Sequence, residues 1–218
     1  MYFESRYEAG EQLAEVLFEH YRYEDCAVVA LSDGGVLVGE PIARKLHSLL
    51  MMLVTETIEI PGERLNFGSV SQNGNFTYDS NLSSFEIDEY TNEFSGYLQE
   101  EKRKAFQKIN RIVGDGGTMD INLLVNRNII LVSDGFDRNV SLEAALDFIK
   151  PAKIKKIIFA TPVASVDVVN RLHILVDEMH ILDVKPNYMG TDHYYDDNQI
   201  PSHEATIEKI NQNVINWQ

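Results

Sequence analysis

Two short stretches of the chain carry the residue types that hold phosphates. Leu31-Ser32-Asp33-Gly34-Gly35 and Leu131-Val132-Ser133-Asp134-Gly135 each close an apolar run with a hydroxyl, a carboxylate and glycine. The second continues through Phe136, Asp137, Arg138, Asn139 and Val140 to Ser141. A polar loop between strand and helix aims backbone N–H groups and the positive helix end at an anion, just beyond the strand's carboxyl end. Either stretch alone resembles many turns that bind nothing; the pair is more specific. Taken alone, Asp134 reads as the polar end of a buried strand. Arg138 offers a bidentate anion clamp, against the plainer readings of a pair with Asp137 or a solvated side chain. Gly34 and Gly35 most simply serve a left-handed turn into the following helix.

Other clusters say less. Asp192, His193, Asp196 and Asp197 supply oxygen and imidazole at short spacing, which suits a divalent cation. Nothing in the sequence fixes their geometry, so a solvated loop is the plainer reading and no metal site is assigned. Ser32 and Ser133 lack a base and a nucleophile elbow, which argues against a serine hydrolase. The run Glu100-Glu101-Lys102-Arg103-Lys104 reads as a solvated helical face.

The elements that position these residues alternate. Leu13, Ala14, Leu17, Phe18 and Tyr21 recur at helical spacing within 8–21. Residues 26–31 form a short apolar strand, 36–46 a helix with Pro41 as a kink or late start, and 49–55 a second strand. Between 56 and 78, Pro61-Gly62 and Asn73-Gly74 break the chain into an antiparallel ribbon. Residues 87–112 read as one long helix. The strand 128–132 precedes a helix over 140–149, a strand 154–160, a helix 165–172, a strand 179–182 and a terminal helix 203–215. Such alternation predicts βαβ units around a mostly parallel sheet of about five strands, with helices on both faces.

The chain has 218 residues, 44% hydrophobic and 24% charged, which excludes disorder and fibrous structure. That length suits one domain, 1–218, with the ribbon and a C-terminal segment 188–218 lying over the carboxyl edge of the sheet. Thirty-four acidic against nineteen basic residues give a net charge of −15. Such a surface repels nucleic acid and anionic membranes at long range, so neither is an expected partner. Cys26, the single cysteine, excludes an internal disulfide and sits among apolar neighbours as a buried thiol. No leader-like or membrane-spanning run is evident, and the cytoplasm is the expected compartment.

The stretch Ile129-Ile130-Leu131-Val132-Ser133-Asp134-Gly135, with Ser141-Leu142-Glu143-Ala144-Ala145 after its loop, resembles the phosphoribosyl pyrophosphate (PRPP) loop of the type I phosphoribosyltransferases. Residues 30–39 are similar to the upstream pyrophosphate loop in one branch of that family. Phe3-Glu4-Ser5-Arg6, Ala9-Gly10, Leu13-Ala14, Phe67-Gly68-Ser69-Val70 and the polar segment 190–197 fit the same branch. The resemblance implies an α/β fold with Asp134, Gly135, Asp137, Arg138, Asn139 and Ser141 around PRPP and its 5′-phosphate, and with Asp33, Gly34 and Gly35 around pyrophosphate.

The departures from that pattern bear on activity. The family's paired acidic residues become Ser133 and Asp134, and its small phosphate-wrapping residues become Asp137, Arg138, Asn139 and Val140, with only Ser141 keeping a hydroxyl. Asp33 replaces a basic residue, and an Arg-Lys pair after the second strand is replaced around Glu56 and Thr57. A unit charge pair at ~4 Å is worth about 4 kcal/mol at an effective dielectric near 20, so an inward Asp33 or Asp137 opposes a phosphate strongly. The expectation is a phosphoribosyltransferase-family protein with an eroded PRPP site, weak or inactive as a transferase, and using Mg²⁺ only if active. Two alternatives stay open: a non-catalytic nucleotide- or protein-binding module, and an active transferase with an unusual site. A small phosphate-containing ligand and a second copy of the chain are the partners left open.

Overall fold

The computed structural model describes residues 2–63, 65–114, 119–137 and 140–215. In chain order the elements are α1 (Arg6–Tyr21), β1 (Cys26–Ala30), α2 (Asp33–Leu46), β2 (Leu49–Met52), β3 (Thr55–Glu59), β4 (Asn66–Ser71) and β5 (Phe76–Tyr78). There follow α3 (Ser84–Glu93), α4 (Ser95–Val113), β6 (Asn128–Val132), α5 (Val140–Ile149), β7 (Lys156–Ser165), α6 (Val166–Leu175), β8 (Glu178–Lys185) and α7 (His203–Ile215). They divide between two compact units. The first comprises Met1–Met52, Met119–Asp137 and Ala152–Gln218; the second comprises Leu53–Thr118 and Arg138–Pro151.

The first unit is built on a five-stranded sheet, ordered β2-β1-β6-β7-β8, in which every pairing is parallel. All five residues of β1 and of β6 are buried, and the apolar runs 26–30 and 129–132 suit strands covered on both faces. Chain order steps one way from β1 to β2 and the other way from β6 to β8, so the sheet reverses between β1 and β6. Ligands of open α/β sheets bind at such a reversal, beyond the carboxyl ends of the strands. Right-handed crossovers put α2 and α6 on opposite faces. Helix α1 packs along α2, and the two cross closely at Gly10, where a Cβ would fall 2.4 Å from the Val38 carbonyl and 2.6 Å from Pro41.

Several boundaries differ from those read in the sequence. Helix α2 begins at Asp33 rather than 36, because the Ser32 hydroxyl accepts the Gly35 N–H at 2.9 Å and caps it, and it runs through Pro41. Gly34 and Gly35 are therefore helical and make no left-handed turn. Residues 87–112 are not one helix: α3 ends at Glu93, and α4 starts at Ser95 after a break at Phe94 (φ −111°, ψ 23°). Strand β2 stops at Met52, while β7 and β8 run further than their apolar cores, to Ser165 and Lys185.

The second unit holds an antiparallel sheet in the order β3-β4-β5, with Gly74 (φ +81°) in the tight turn between β4 and β5. Ile58, Ile60, Phe67 and Val70 from its strands form a core with Leu98, Ala105, Ile109 and Val113 of α4. Helix α5 joins this unit, and its buried Glu143 accepts the backbone N–H and the hydroxyl of Ser80.

Candidate functional site

The two loops picked out in the sequence meet at the sheet reversal. Ser32 follows β1 and Asp134 follows β6, one strand over, and the Ser32 hydroxyl donates to Asp134 Oδ1 at 3.0 Å. Gly34 gives Asp134 its room, since a Cβ there would lie 2.1 Å from Oδ2. The structure thus asks for glycine because a carboxylate sits against the helix start, and not because of backbone torsion.

The partner of that carboxylate comes from the far end of the sequence. Arg6 opens α1, whose first turn is fixed by the Ser5 hydroxyl accepting the Glu8 N–H. Its side chain is 2% exposed as a residue, and its Nε donates to Asp134 Oδ2 at 2.7 Å. The remaining guanidinium nitrogens reach Asp192 at 2.5 Å and Asn198 at 3.3 Å, and the Tyr195 ring lies 4.6 Å from Cζ. Burial works to lower the Arg6 pKa, but hydrogen bonds and charge from Asp134 and Asp192 prevail and raise it. Arg6 is a fixed cation, and each of its three guanidinium nitrogens makes a hydrogen bond.

A polar segment, 188–198, closes over these groups. The Tyr195 hydroxyl donates to the Asp134 carbonyl, and burial followed by the Asp134 charge pushes the phenol well above its ordinary value. Tyr188 is pushed up to about 12 by burial, with Asp137 and Asp134 adding to the shift. A parallel bridge pairs Phe3 with Tyr195, the Asp196 N–H donates to the Phe3 carbonyl, and the Asp197 N–H donates to the Glu4 carbonyl. Asp192 and His193 are thus tied to Arg6 and Tyr2 rather than converging on one point. Among the described residues, no three His, Cys, Asp or Glu side chains are grouped to hold a metal ion.

Asp33 lies in the first turn of α2 and accepts from His203 Nδ1 at 2.9 Å, which ties α7 to this helix start. Gly135 approaches closely: a Cβ would meet the Tyr188 hydroxyl at 2.4 Å and Thr191 at 2.8 Å. Ser133, in the family's first acidic position, donates to the Gly135 carbonyl at 2.8 Å. Asp137 is exposed. Arg138 and Asn139 lie outside the described residues, and Ser141 stands in the first turn of α5, in the second unit.

The fold therefore brings together Ser32, Asp33, Gly34, Gly35 and Asp134. Sequence reasoning missed the part played by Arg6, Tyr195, Asn198 and His203. Ser5-Arg6 at a capped helix start was the one visible signal for Arg6; the others have no local signature.

The donor set fits Mg²⁺ poorly. One carboxylate stands where the family uses two, both of its oxygens already accept hydrogen bonds, and one of those donors is a cation. A cation placed there would meet a carboxylate whose charge Arg6 already offsets.

No protein-family model matches the chain. Among solved structures it is similar to TT1426 from Thermus thermophilus, with a TM-score of 0.74 and 24% identity, covering 100% of this chain and 99% of that one. A hypoxanthine phosphoribosyltransferase from Staphylococcus aureus overlaps more loosely, with a TM-score of 0.49, 10% identity, and 86% and 77% of the two chains covered. A purine phosphoribosyltransferase from Pyrococcus horikoshii gives 0.46 and 15%, covering 83% of each chain. A five-stranded parallel sheet with helices, and a separate three-stranded antiparallel sheet, make the α/β fold class expected from the sequence. The likeness is one of fold.

Proposed function

We propose that this protein keeps a phosphoribosyltransferase fold while its PRPP site is closed by its own side chains, leaving it weak or inactive as a transferase. The observation that carries this reading is the buried Arg6–Asp134 pair at 2.7 Å, with Ser32 on the second carboxylate oxygen. PRPP needs a free carboxylate for its ribose hydroxyls and convergent positive charge for its phosphates. Here Asp134 is neutralised, Arg6 is shared between two carboxylates, and Asp33 places a further negative charge at the start of α2. The positive end of that helix, the natural anion seat, is already occupied by an acidic side chain.

The reaction itself would ask little covalent help from the protein. Transfer from PRPP is served by positioning and by stabilising charge at the loosening C1′–O bond. The groups able to do this at the sheet reversal are tied to one another, so the geometry supports holding a shape better than accelerating a reaction.

Calorimetric titration with PRPP and Mg²⁺ tests the reading. The expected affinity is no better than millimolar, a standard free energy of about −4 kcal/mol. Micromolar binding, with pyrophosphate released on adding a nucleobase, would make the protein an active transferase and overturn the reading.

A further inference from the structure

The second unit holds a three-ring arrangement that the transferase reading leaves unused. Strand β4 carries an irregularity opposite Ile58 and Glu59, where the pairing steps from Gly68 to Asn66 and skips Phe67. Such a bulge re-aims a side chain, and Phe67 comes to lie beside two rings of β5. Its centroid is 5.7 Å from Phe76 and 5.3 Å from Tyr78, while Phe76 and Tyr78 are 5.0 Å apart and perpendicular at 88°. Gly68 makes the arrangement fit, because a Cβ there would fall 2.5 Å from the Phe76 ring and 2.3 Å from the Thr77 carbonyl. Phe67 is fully buried and forms the floor; Tyr78, 40% exposed, forms the open side.

A cation already sits against these rings. Lys102 of α4 places Nζ 3.6 Å from the Phe76 centroid, 5.4 Å from Tyr78 and 5.7 Å from Phe67. Its neighbours on the helix behave differently: Arg103 pairs with Glu100, Lys104 with Glu101 and Lys108 with Glu56. Among the described residues Lys102 has no carboxylate in ion-pair range, and burial pushes its pKa below the usual lysine value. Three aromatic faces, and no counter-charge, hold this ammonium.

We infer that Phe67, Phe76 and Tyr78 form a binding site for a quaternary ammonium group, with Lys102 as its built-in competitor. Ring faces attract any cation through their quadrupoles, but the choice of cation follows from what they lack. A primary ammonium carries three N–H donors that want acceptors, and ring faces supply none of the strong kind. A trimethylammonium group has no donor to leave unsatisfied, gives up less hydration, and covers more ring surface. It therefore gains more from the same three faces than Lys102 does. The four-carbon lysine stem can swing to solvent when displaced, and the strongly negative chain draws cations toward it.

Tetramethylammonium chloride is titrated into the whole protein while the aromatic carbon–proton resonances of Phe67, Phe76 and Tyr78 are followed. The wild type should show weak saturable shifts confined to these rings. Lys102→Ala should bind at least tenfold more tightly, and Phe76→Leu should lose the response. Ammonium chloride at equal ionic strength should move none of the three. Choline and a short trimethyllysine peptide, run in parallel, distinguish a free small molecule from a modified side chain by which binds more tightly. A folded Lys102→Ala protein with no saturable shift, or equal shifts from ammonium, would sink the proposal. Lys102→Gln carries the same expectation and stands in should the alanine variant fold poorly.

Discussion

Arg6 and Asp134 are 128 residues apart in sequence and joined by a 2.7 Å ion pair between side chains that are 1% and 12% exposed. Breaking a buried pair by removing one partner strands the other charge away from water, at about 3–5 kcal/mol. Arg6→Ala should therefore lower the urea midpoint by an amount in that range, with an unchanged slope. The double variant Arg6→Met with Asp134→Leu removes both charges and should cost less than either single change. If Arg6→Ala were neutral, the pair would not be holding the site shut.

Restoring the family's pattern should reopen phosphate chemistry. Ser133→Asp, Asp137→Ala, Arg138→Thr and Asn139→Gly together should tighten PRPP binding at least tenfold, about 1.4 kcal/mol. Neighbouring changes couple, so the combined variant is the informative one. Adding Asp33→Arg should raise pyrophosphate affinity further, since it removes the charge that now faces His203 at the start of α2. Calorimetry reads both.

Two glycines separate the need for space from the tolerance of a side chain. Gly34→Ala puts a methyl 2.1 Å from Asp134 Oδ2, whereas Gly96→Ala, in the first turn of α4, meets nothing within 4 Å. Overpacking of the first kind costs about 1–3 kcal/mol. The second should stabilise by about 0.4–1 kcal/mol by restricting the unfolded chain. Thermal melts of the two variants should move in opposite directions.

Stability should fall as the medium is acidified through the histidine range. His180 lies 5.3 Å from the His20 ring and beside Tyr21, and burial followed by the His20 charge lowers its pKa from 6.5, against a smaller opposing effect of Glu178. A histidine whose folded pKa is depressed binds its proton more readily when unfolded, so stability is lost as pH drops below about 6.5 toward the folded value. His180→Gln should flatten the unfolding midpoint between pH 7 and 5.5. An unchanged pH profile would place the acid sensitivity elsewhere.

The sheet was legible because its chemistry is local. Ile129, Ile130, Leu131 and Val132 are all fully buried in β6, and their unbroken apolar run states as much without tertiary context. The break at Phe94 was not legible, since residues on both sides keep helical spacing and only the local backbone departs from it. Gly34 misled for a related reason. A glycine's sequence context does not say whether it supplies torsional freedom or absence of bulk, and here bulk decides. The family resemblance marks Asp134 as a candidate site residue, but its ion pair with Arg6 is a contact between distant segments that no periodicity encodes. Tyr195 is hidden in the same way, beside Tyr194 in a polar run that reads as a solvated loop.

The closure also has an order in time. Ribosomal synthesis makes Arg6 early, Asp134 after more than half the described chain, and Asp192, Tyr195 and Asn198 later still. Until then Arg6 has none of the partners that justify its burial, and α1 has no reason to settle its first turn against the sheet. Contacts of such large sequence separation form slowly, because the intervening chain must be ordered before they are rewarded. Between the making of β6 and the arrival of the segment that pairs with Phe3 and Glu4, the crevice beyond β1 and β6 lacks the residues that seal it.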